Sequence, residues 1–346
     1  MTSYKETTIY DIARALNISA STVSRGLNNH PHVRQDTKKK IINAANEMEY
    51  QRNKFATNLR QKRTNTIGVV VPRLNSYFQS RVIAGIEKVA NQSGYHLIIS
   101  QSLESLKNEI ASISTMFNTR IDGLIVSIAC NTRNLKHFNI LFKKKIPVVF
   151  FDRFIEHPDC SSVVIDNYKA GYEATAHLIE QGCRRIVYVG GNLYSNVYAD
   201  RLRGYKKALE DNGIDYFNNI IFTDELNEQT GIEAVEKILN LKTLPDGIFT
   251  ANDVTAAMII CKLKDAGISI PEEIAVVGFN DDLVSRVINP ALTTIHYPGL
   301  EMGEIAASTL INRLNNSQSA NLRTIVIQHD IIIRQSSLKK IAQSQH

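Results

Sequence analysis

The feature that most constrains this 346-residue sequence is a repeated alternation of short apolar runs with helical segments. Helix-like segments occur, for example, at 82–93, 172–181 and 254–265. The runs have the length of buried strands, and most are rich in Val and Ile; they occupy residues 67–71, 97–99, 123–126, 147–151, 163–165, 186–189, 220–222, 247–249 and 275–279. Apolar strands that alternate with helices are typical of parallel sheets buried on both faces. The pattern predicts an α/β fold from about residue 66.

The runs form two series, which predicts two doubly wound subdomains with parallel sheets. Ligands of such sheets bind at the carboxyl ends of the strands, so two sheets that face each other place a binding cleft between them. Four glycines follow helical segments, where a left-handed residue commonly ends a helix: Gly94, Gly182, Gly213 and Gly267.

The charge of the chain is concentrated at its beginning. The whole sequence carries +6, but residues 1–64 hold 12 Lys and Arg against 5 Asp and Glu, a net charge of +7. A compact basic domain before a near-neutral body indicates a polyanionic partner, and DNA is the obvious one. The alternative is a solubilising basic tail. A tail of that kind is of low complexity, whereas this segment has helical periodicity.

Residues 1–49 contain the pattern of a helix-turn-helix. Apolar residues at helical spacing predict a first helix over 8–16, and Ser19 stands at the N-cap of a second helix over 20–27. Asn17 lies in the intervening turn, where its tolerance of the left-handed conformation is useful. A third helix is predicted over 35–49, and three helices of this size can close a minimal core.

The second helix of such a unit enters the major groove of DNA. Its early side chains, Ala20, Ser21 and Arg25, are therefore predicted to meet base edges. An arginine that binds guanine through two hydrogen bonds contributes about 1–3 kcal/mol of discrimination. Four further residues are better placed for phosphates: Thr22, Ser24, Asn28 and His32. For Thr22 or Ser24 taken alone, an ordinary solvated helix face is an equal alternative.

Together these residues resemble the headpiece of the LacI/GalR family of bacterial regulators. The resemblance rests on Thr8, Ile9, Tyr10, Asp11, Ile12, Ala13, Ser21, Thr22, Val23, Ser24, Arg25 and Asn28. It adds Thr8 and Tyr10 to the predicted DNA-binding residues. It also implies sequence-specific binding to double-stranded operator DNA by a homodimer. One headpiece reads a half-site, so the dimer would read a pseudo-palindrome.

The resemblance continues through Asn53, Ala56, Leu59 and Arg60. In this family the stretch is a hinge helix, here about 53–61, which folds on the operator and wedges its leucine into the minor groove. The alternative for Leu59 is an ordinary linker residue.

The sequence departs from the family pattern at two positions of the headpiece and hinge. Arg52 replaces the usual proline before the hinge asparagine, which removes a fixed φ but adds a cation. Gly26 stands where alanine or valine is commoner, at a cost of about 0.5–1 kcal/mol in helix stability.

The body resembles the effector domain of the same family, which is similar to periplasmic sugar-binding proteins. The residues that carry the likeness are Phe151, Asp152, Arg153, Arg201, Gly204, Pro245, Asp246, Asn252, Asp253, Val277, Gly278, Phe279, Pro290, Leu292, Thr293, Thr294 and Ile295. The resemblance implies a headpiece at 1–64 and an effector-binding and dimerisation domain at 66–346. The chain should cross between subdomains three times, near residues 165, 293 and 325. Subdomain 1 then comprises about 66–164 plus 294–324, and subdomain 2 about 165–293 plus 325–337.

The candidate effector site combines residues at predicted strand ends with positions that the resemblance supplies. Asp152, Asn252 with Asp253, and Asn280 with Asp281 follow strands; Arg201 matches the family's effector-binding arginine, and Tyr77 with Phe78 its aromatic pair. Arg153 completes the predicted set. Forked polar groups beside aromatic rings suit a carbohydrate. The alternative is that some of these residues cap helices or tie the lobes together, and for Asn252, Asp253 and Asp281 it has equal weight.

The motifs of common enzymes are absent from the sequence. The nine histidines are scattered without HExxH, and no GxSxG elbow or P-loop occurs. The four cysteines are far apart, which predicts reduced and mostly buried thiols and no metal or cofactor. The first ten residues are polar, with no signal peptide, and no segment is long and apolar enough to span a membrane.

The sequence therefore predicts a cytoplasmic, non-enzymatic transcription repressor that is controlled by a small polar effector, a sugar or sugar derivative. The alternative is a solute-binding protein of a transport system. The basic headpiece and the absence of a signal peptide argue against that alternative.

Overall fold

The computed structural model describes residues 7–50, 63–215, 220–222, 225–315 and 323–339. The chain divides into two compact units, Met1–Thr64 and Asn65–His346. The predicted hinge segment, with Arg52, Asn53, Ala56, Leu59 and Arg60, lies outside the described residues. Among the residues described, no helix has the length and apolar character needed to cross a membrane.

The first unit contains three helices: α1 (Ile9–Ala15), α2 (Ala20–Leu27) and α3 (Gln35–Glu47). The side chain of Ser19 caps α2, because its Oγ accepts a hydrogen bond from the backbone N–H of Thr22 at 3.1 Å. Asn17 adopts a φ of +49°, so the turn between α1 and α2 uses the left-handed conformation that the sequence predicts.

The core of the first unit is small and tightly packed. Ile12, Val23 and Ile41, one from each helix, are completely buried. Gly26 is also buried, and a Cβ atom at this position would collide with the side chain of Ile41. Gly26 therefore has a packing role that its helix propensity does not reveal, because it allows α2 and α3 to approach closely.

The second unit contains two lobes, each built on a six-stranded sheet. The first lobe has the strand order β11-β5-β4-β3-β1-β2, and its ladders are parallel throughout. Its strands are β1 (Thr66–Val71), β2 (His96–Gln101), β3 (Gly123–Val126), β4 (Val148–Phe151), β5 (Cys160–Ile165) and β11 (Thr324–Ile327). Its helices are α4 (Tyr77–Gln92), α5 (Leu106–Asn118), α6 (Asn139–Lys143) and α12 (Gly299–Asn315).

The second lobe has the strand order β12-β10-β9-β8-β6-β7. Its strands are β6 (Ile186–Gly190), β7 (Ile220–Phe222), β8 (Gly247–Thr250), β9 (Ala275–Asn280), β10 (Thr293–His296) and β12 (Asp330–Ile332). Its helices are α7 (Asn167–Glu180), α8 (Asn196–Asp211), α9 (Glu228–Leu239), α10 (Asp253–Asp265) and α11 (Val284–Val287). The edge strand β12 runs antiparallel to β10, which the sequence did not predict.

The chain crosses between the lobes later than predicted at two of the three positions. Strand β10 pairs with β9 up to His296, so residues 294–296 belong to the second lobe. Strand β11 pairs with β5 up to Ile327, so residues 325–327 belong to the first lobe. The crossings follow residues 165, 296 and 327, because each strand completes its ladder before the chain leaves the sheet.

One pair of helices in each lobe packs through glycines. In the second lobe, a Cβ on Gly171 of α7 would lie 2.8 Å from the Cα of Arg201, and one on Gly204 of α8 would lie 2.6 Å from the backbone N of Tyr172. In the first lobe, Gly85 of α4 and Gly303 of α12 make equally close approaches to the partner helix backbone. These contacts hold each helix pair at a separation that no larger residue permits.

The helix ends and the thiols largely follow the sequence. All four glycines predicted to follow helices have positive φ, from +61° to +86°. The four cysteines are free; Cys130 and Cys183 are buried, Cys160 is half-buried and Cys261 is exposed. The prediction of mostly buried thiols therefore fails for Cys261.

Candidate functional site

A cavity of about 680 Å³ lies between the two lobes of the second unit, where the parallel strands end. Residues that follow β1, β4, β8, β9 and β10 contribute to its wall. Seven of the nine predicted effector residues line it: Tyr77, Phe78, Asp152, Arg153, Arg201, Asn252 and Asn280. The structure therefore brings most of the predicted set together at one place.

Arg201 extends from α8 and is only 3% exposed. Its Nε donates to Oδ1 of Asn167 at 2.8 Å, and its Nη1 donates to the carbonyl oxygen of Ala251 at 2.9 Å. Its guanidinium carbon lies 3.4 Å from the centre of the Phe279 ring. Nη2 has no hydrogen-bond partner within the described part of the chain, so this end of the fixed fork is available to a ligand in the cavity.

Aromatic side chains form one wall of the cavity. Phe78 stacks on Tyr297 with ring centres 4.2 Å apart and an interplanar angle of 21°. Phe279, completely buried behind this wall, meets Tyr297 edge-on at 5.9 Å, and Tyr198 lies within cation–π range of Arg201 at 5.7 Å. Such a wall can pack against the apolar face of a ring-shaped ligand.

Asp152 is held by groups from three other elements. Its Oδ1 accepts a hydrogen bond from the hydroxyl of Tyr297 at 2.8 Å, and its Oδ2 accepts from Ser127 at 3.3 Å and Gln79 at 3.5 Å. The residue has a φ of +59°, in the left-handed region. These contacts hold the carboxylate in a fixed position at the end of β4.

Arg153 forms a largely buried ion pair in the cavity wall. Its Nη1 donates to both carboxylate oxygens of Glu104, at 2.9 and 2.7 Å, and its Nη2 donates to the Tyr198 hydroxyl at 3.2 Å. Burial lowers the pKa of Arg153, but the charges of Glu104, Tyr198 and Asp152 outweigh burial, so its pKa is raised. Burial likewise raises the pKa of Glu104, and the charge and hydrogen bonds of Arg153 reverse that effect and lower it.

Three predicted residues have structural partners. Asn252 lines the cavity, but its Oδ1 caps α10 by accepting from the Thr255 N–H at 2.9 Å. Asp253 lies behind the wall, completely buried, and accepts a hydrogen bond from the Thr294 hydroxyl at 2.7 Å. The structure does not place Asp253 on the cavity surface.

Asp281 also lies away from this cavity. It forms ion pairs with Arg334 at 2.6 Å, Arg286 at 2.8 Å and His296 at 3.2 Å. Burial raises the pKa of Asp281, but hydrogen bonds from His296, Arg286 and Arg334 outweigh it and hold the pKa below its usual range. For Asp253 and Asp281 the geometry therefore favours the structural alternative.

Polar contacts also join the two lobes around the cavity. Arg73 of the first lobe pairs with Glu225 of the second at 2.6 Å. The backbone N–H of Phe154 donates to Oδ1 of Asn196 at 3.3 Å. Across the same junction, the guanidinium of Arg133 lies 3.8 Å from the centre of the Tyr194 ring. Each of these contacts joins one lobe to the other, so relative movement of the lobes would change them.

Sequence reasoning missed several residues of the cavity wall: Glu104, Tyr198, Asp282 and Tyr297. Tyr297 follows β10, so the rule of strand ends would have found it if β10 had been predicted. Asp282 comes two residues after β9, next to a predicted pair, and the same rule applied more broadly would have included it. Nothing in the sequence indicates the orientation of Tyr198 on α8.

Within the described chain, no group of three or more potential ligands could hold a metal ion.

The predicted DNA-binding residues of the first unit that the structure describes all lie at its surface. Ser21 and Arg25 of α2 are exposed, and the Arg25 side chain makes no hydrogen bond or ion pair within the described residues. Tyr10 of α1 is 67% exposed although it is aromatic. The others are at least partly exposed: Thr8, Ala20, Thr22, Ser24, Asn28 and His32. The surface of α2 can therefore present an unengaged arginine and small polar side chains to a groove.

Comparison with known proteins agrees with both units. Residues 8–53 match the bacterial regulatory proteins of the lacI family, and residues 175–337 match the periplasmic binding protein-like domain. The NTD biosynthesis operon regulator NtdR of Bacillus subtilis (strain 168) is 32% identical over 330 residues, which are 95% of this chain and 99% of the relative.

Two solved structures show the same architecture. The lac repressor dimer bound to operator and the anti-inducer ONPF has a TM-score of 0.85 at 24% identity, with 96% of this chain and 100% of that chain covered. A LacI family transcriptional regulator from Enterococcus faecium with bound ribose has a TM-score of 0.71 at 25% identity, with 79% and 98% covered.

A helix-turn-helix unit before a two-lobed α/β domain with a cleft defines the class of ligand-responsive DNA-binding regulators. The extent of the similarity to NtdR decides the family. The chain belongs to the lacI family of bacterial regulatory proteins and is a transcription regulator. Its relatives are regulators rather than enzymes, and they support the regulator over the transport alternative.

Proposed function

We propose that this regulator is a repressor whose affinity for operator DNA is set by a small polyhydroxylated effector, a sugar or sugar derivative, bound in the cavity between the lobes. The observation that carries the proposal is the rigid presentation of Arg201. Two of its nitrogens are fixed by Asn167 and Ala251, its plane rests on Phe279, and Nη2 is left for a ligand.

The rest of the wall supports a carbohydrate. Phe78 and Tyr297 offer a stacked aromatic surface for the apolar face of a sugar ring. Asp152, Arg153 and Asn280 add polar groups that suit hydroxyls. The volume of about 680 Å³ lies within the range usual for small-molecule sites. The relative with bound ribose shows that this architecture accepts a sugar.

The DNA-binding proposal assigns α2 to the major groove. Ser21 and Arg25 with Ala20 would read base edges, and the remaining polar side chains of the headpiece would bind phosphates. The hinge residues Asn53, Ala56, Leu59 and Arg60 complete the proposed interface. The protein would act as a homodimer joined through the body lobes, since one headpiece reads only a half-site.

Effector binding would control DNA binding by shifting the equilibrium between two arrangements of the lobes. A ligand can shift it only by its difference in affinity for the two arrangements. The contacts that join the lobes, such as Arg73 with Glu225, stabilise one of these arrangements. A ligand that bridges Arg201 in the second lobe and Asp152 in the first would favour a different spacing.

The test is calorimetric titration of the full-length protein with a panel of sugars, sugar acids, nucleosides and purines, followed by operator binding with each ligand that binds. We expect a sugar or sugar derivative to bind the wild type, and Arg201→Ala to weaken it at least tenfold. Arg203→Ala is the matched control, because Arg203 lies on the same helix but is exposed and pairs with Asp200. Equal binding by the wild type and Arg201→Ala would refute the site.

A further inference from the structure

The charge of the second unit is distributed unevenly. The whole chain holds 40 Lys and Arg and 34 Asp and Glu; without the 12 and 5 of residues 1–64, 28 and 29 remain, a net charge of −1. Five exposed cations nevertheless lie at one edge of the first-lobe sheet, where its parallel strands begin, opposite the edge that borders the cavity. These five residues, the basic edge, are Arg120 before β3, Lys143, Lys144 and Lys145 before β4, and Arg323 before β11.

The strand order places the basic edge in one row. Strands β3, β4, β5 and β11 are consecutive neighbours in the sheet. Their ladders are parallel, and each strand begins within two residues of the start of its neighbour. Neighbouring strands lie about 4.8 Å apart, so the row from the turn of Arg120 to Arg323 is roughly 15 Å wide.

The three lysines of the basic edge have no anionic partner in the protein. Lys143 ends α6, and Lys144 and Lys145 form the turn that follows it. All three are exposed, and none of their ammonium groups forms an ion pair within the described residues. Their charges are therefore available to a partner outside the chain.

Few carboxylates oppose these cations. Asp122 precedes β3 and accepts a hydrogen bond from the backbone N–H of Asn65 at 2.7 Å. Asp159 precedes β5, where a sixth cation, the half-buried Arg313, donates to its carbonyl oxygen at 2.9 Å. Glu156 lies earlier in the same loop. Cations thus outnumber carboxylates along this edge by two to one.

The corresponding turns of the second lobe are balanced. Before β6, β8 and β9 they hold three cations and three anions, which are Arg184, Arg185, Lys242, Asp246, Glu272 and Glu273. Arg185 and Asp246 also pair with each other, at 3.6 Å. Solubility alone would not place an excess of cations on one sheet and a balance on the other.

The chain enters the second unit at the same edge. Strand β1 begins at Thr66, whose carbonyl oxygen accepts the backbone N–H of Asp122 at 2.8 Å, so the start of β1 adjoins the turn of Arg120. Only twelve residues, 51–62, separate the described parts of the two units. A duplex bound by the first unit is therefore present at a high effective concentration near the second.

We propose that the basic edge is a second DNA-binding surface, which binds backbone phosphates of the duplex held by the helix-turn-helix unit. Lysine ammonium groups bind phosphates as point charges and do not read bases. A duplex carries one charge per about 1.7 Å of its axis, so a row roughly 15 Å wide can meet several phosphates. The basic edge adds affinity without adding sequence preference.

The experiment measures the affinity of full-length protein for DNA by fluorescence anisotropy over a range of salt concentrations. Two duplexes of equal length are compared: one of random sequence, and one that contains a site selected from a random pool by the wild type. The variant carries Lys143→Gln, Lys144→Gln and Lys145→Gln. Each lost phosphate contact reduces the slope of log affinity against log salt by about 0.9, so we expect a slope less steep by about 2 or more. The reduction should be the same on both duplexes, because phosphate contacts are independent of sequence.

Two control variants separate phosphate contacts from a change in net charge. Arginine at positions 143–145 keeps the charges and should keep the wild-type slope. Glutamine at Lys107, Lys237 and Lys242 removes the same charge from exposed positions elsewhere in the second unit, and should leave the slope nearly unchanged.

Three results overturn the inference. The glutamine variant at positions 143–145 keeps the wild-type slope, the distant glutamine variant loses as much slope, or the loss is confined to the selected site. None of these results bears on the proposed effector, because the assay contains no ligand of the cavity.

Discussion

Removal of the Glu104 carboxylate should lower the free energy of unfolding by the amount that its ion pair with Arg153 contributes. The two side chains are 15% and 9% exposed and share two hydrogen bonds of 2.9 and 2.7 Å. Glu104→Gln keeps an oxygen acceptor for the backbone N–H of Cys130, 3.0 Å away, but removes the main counter-charge of the guanidinium and leaves only Asp152, 3.9 Å from Nε. Loss of one partner from a buried pair costs about 3–5 kcal/mol. Because the pair retains some solvent contact, we expect about 3 kcal/mol.

Urea denaturation followed by circular dichroism measures this loss. Slopes of about 3 kcal/mol per molar urea convert it to a midpoint about 1 M lower. The double variant Glu104→Gln with Arg153→Met should recover most of the loss, because the buried guanidinium that lost its main partner is then absent. A loss below about 1 kcal/mol for Glu104→Gln, or a double variant no more stable than the single one, would refute the reasoning.

The same pair predicts a dependence on pH with a definite sign. The pKa of Glu104 is lowered in the folded protein from its ordinary value of 4.5. The carboxylate therefore stabilises the fold fully above its ordinary pKa, and this contribution is lost as the pH falls through the lowered value. The stability difference between the wild type and Glu104→Gln should shrink on acidification below about pH 4.

Three further perturbations test other parts of the structure. Gly204→Ala would gain about 1 kcal/mol of stability from helix propensity alone, but its Cβ would collide with the Tyr168 carbonyl. We therefore expect a net loss of about 1–3 kcal/mol, measured as a lower melting temperature. A stabilised variant would contradict the close packing of Gly204. Exposed Cys261 should react with a thiol reagent at pH 8 well before Cys183, because burial raises the pKa of the Cys183 thiol to about 11. Peptide mass spectrometry gives the order of labelling, and the reverse order would contradict the burial of Cys183. Ser19→Ala removes the N-cap of α2 and should destabilise the headpiece by about 1 kcal/mol. The expected observation is faster amide hydrogen exchange in α2, and unchanged exchange would show that the cap contributes little.

The sequence predicted the elements best where local pattern and tertiary packing agree. All nine apolar runs overlap strands of the structure. Most of these strands are buried throughout, which requires apolar residues, but β2 is not. The edge strands β11 and β12, and β10 beside β12, were not predicted as such. Two of the three lobe boundaries were consequently placed a few residues early.

The candidate site was harder to predict, because a residue after a strand can serve two purposes. Asn252 and Asp253 occupy equivalent places in the sequence, yet one caps a helix beside the cavity and the other is buried behind it. Their position in the sequence places both residues at the edge of the sheet where the strands end. The direction of each side chain depends on the packing of α10, which the sequence does not show. The partners of Arg153 come from other elements, so no local pattern contains them.

The strand order has a consequence for the synthesis of the protein. The outer strands β11 and β12 lie within residues 324–332, so both sheets are completed by nearly the last described segment of the chain. The headpiece, by contrast, ends its third helix at Glu47. At ribosomal rates of about 5–20 residues per second, the headpiece precedes the final strands by roughly 15–55 seconds. A nascent or prematurely terminated chain would thus carry a complete DNA-binding unit attached to two unfinished sheets, with the edges of β5 and β10 open to aggregation.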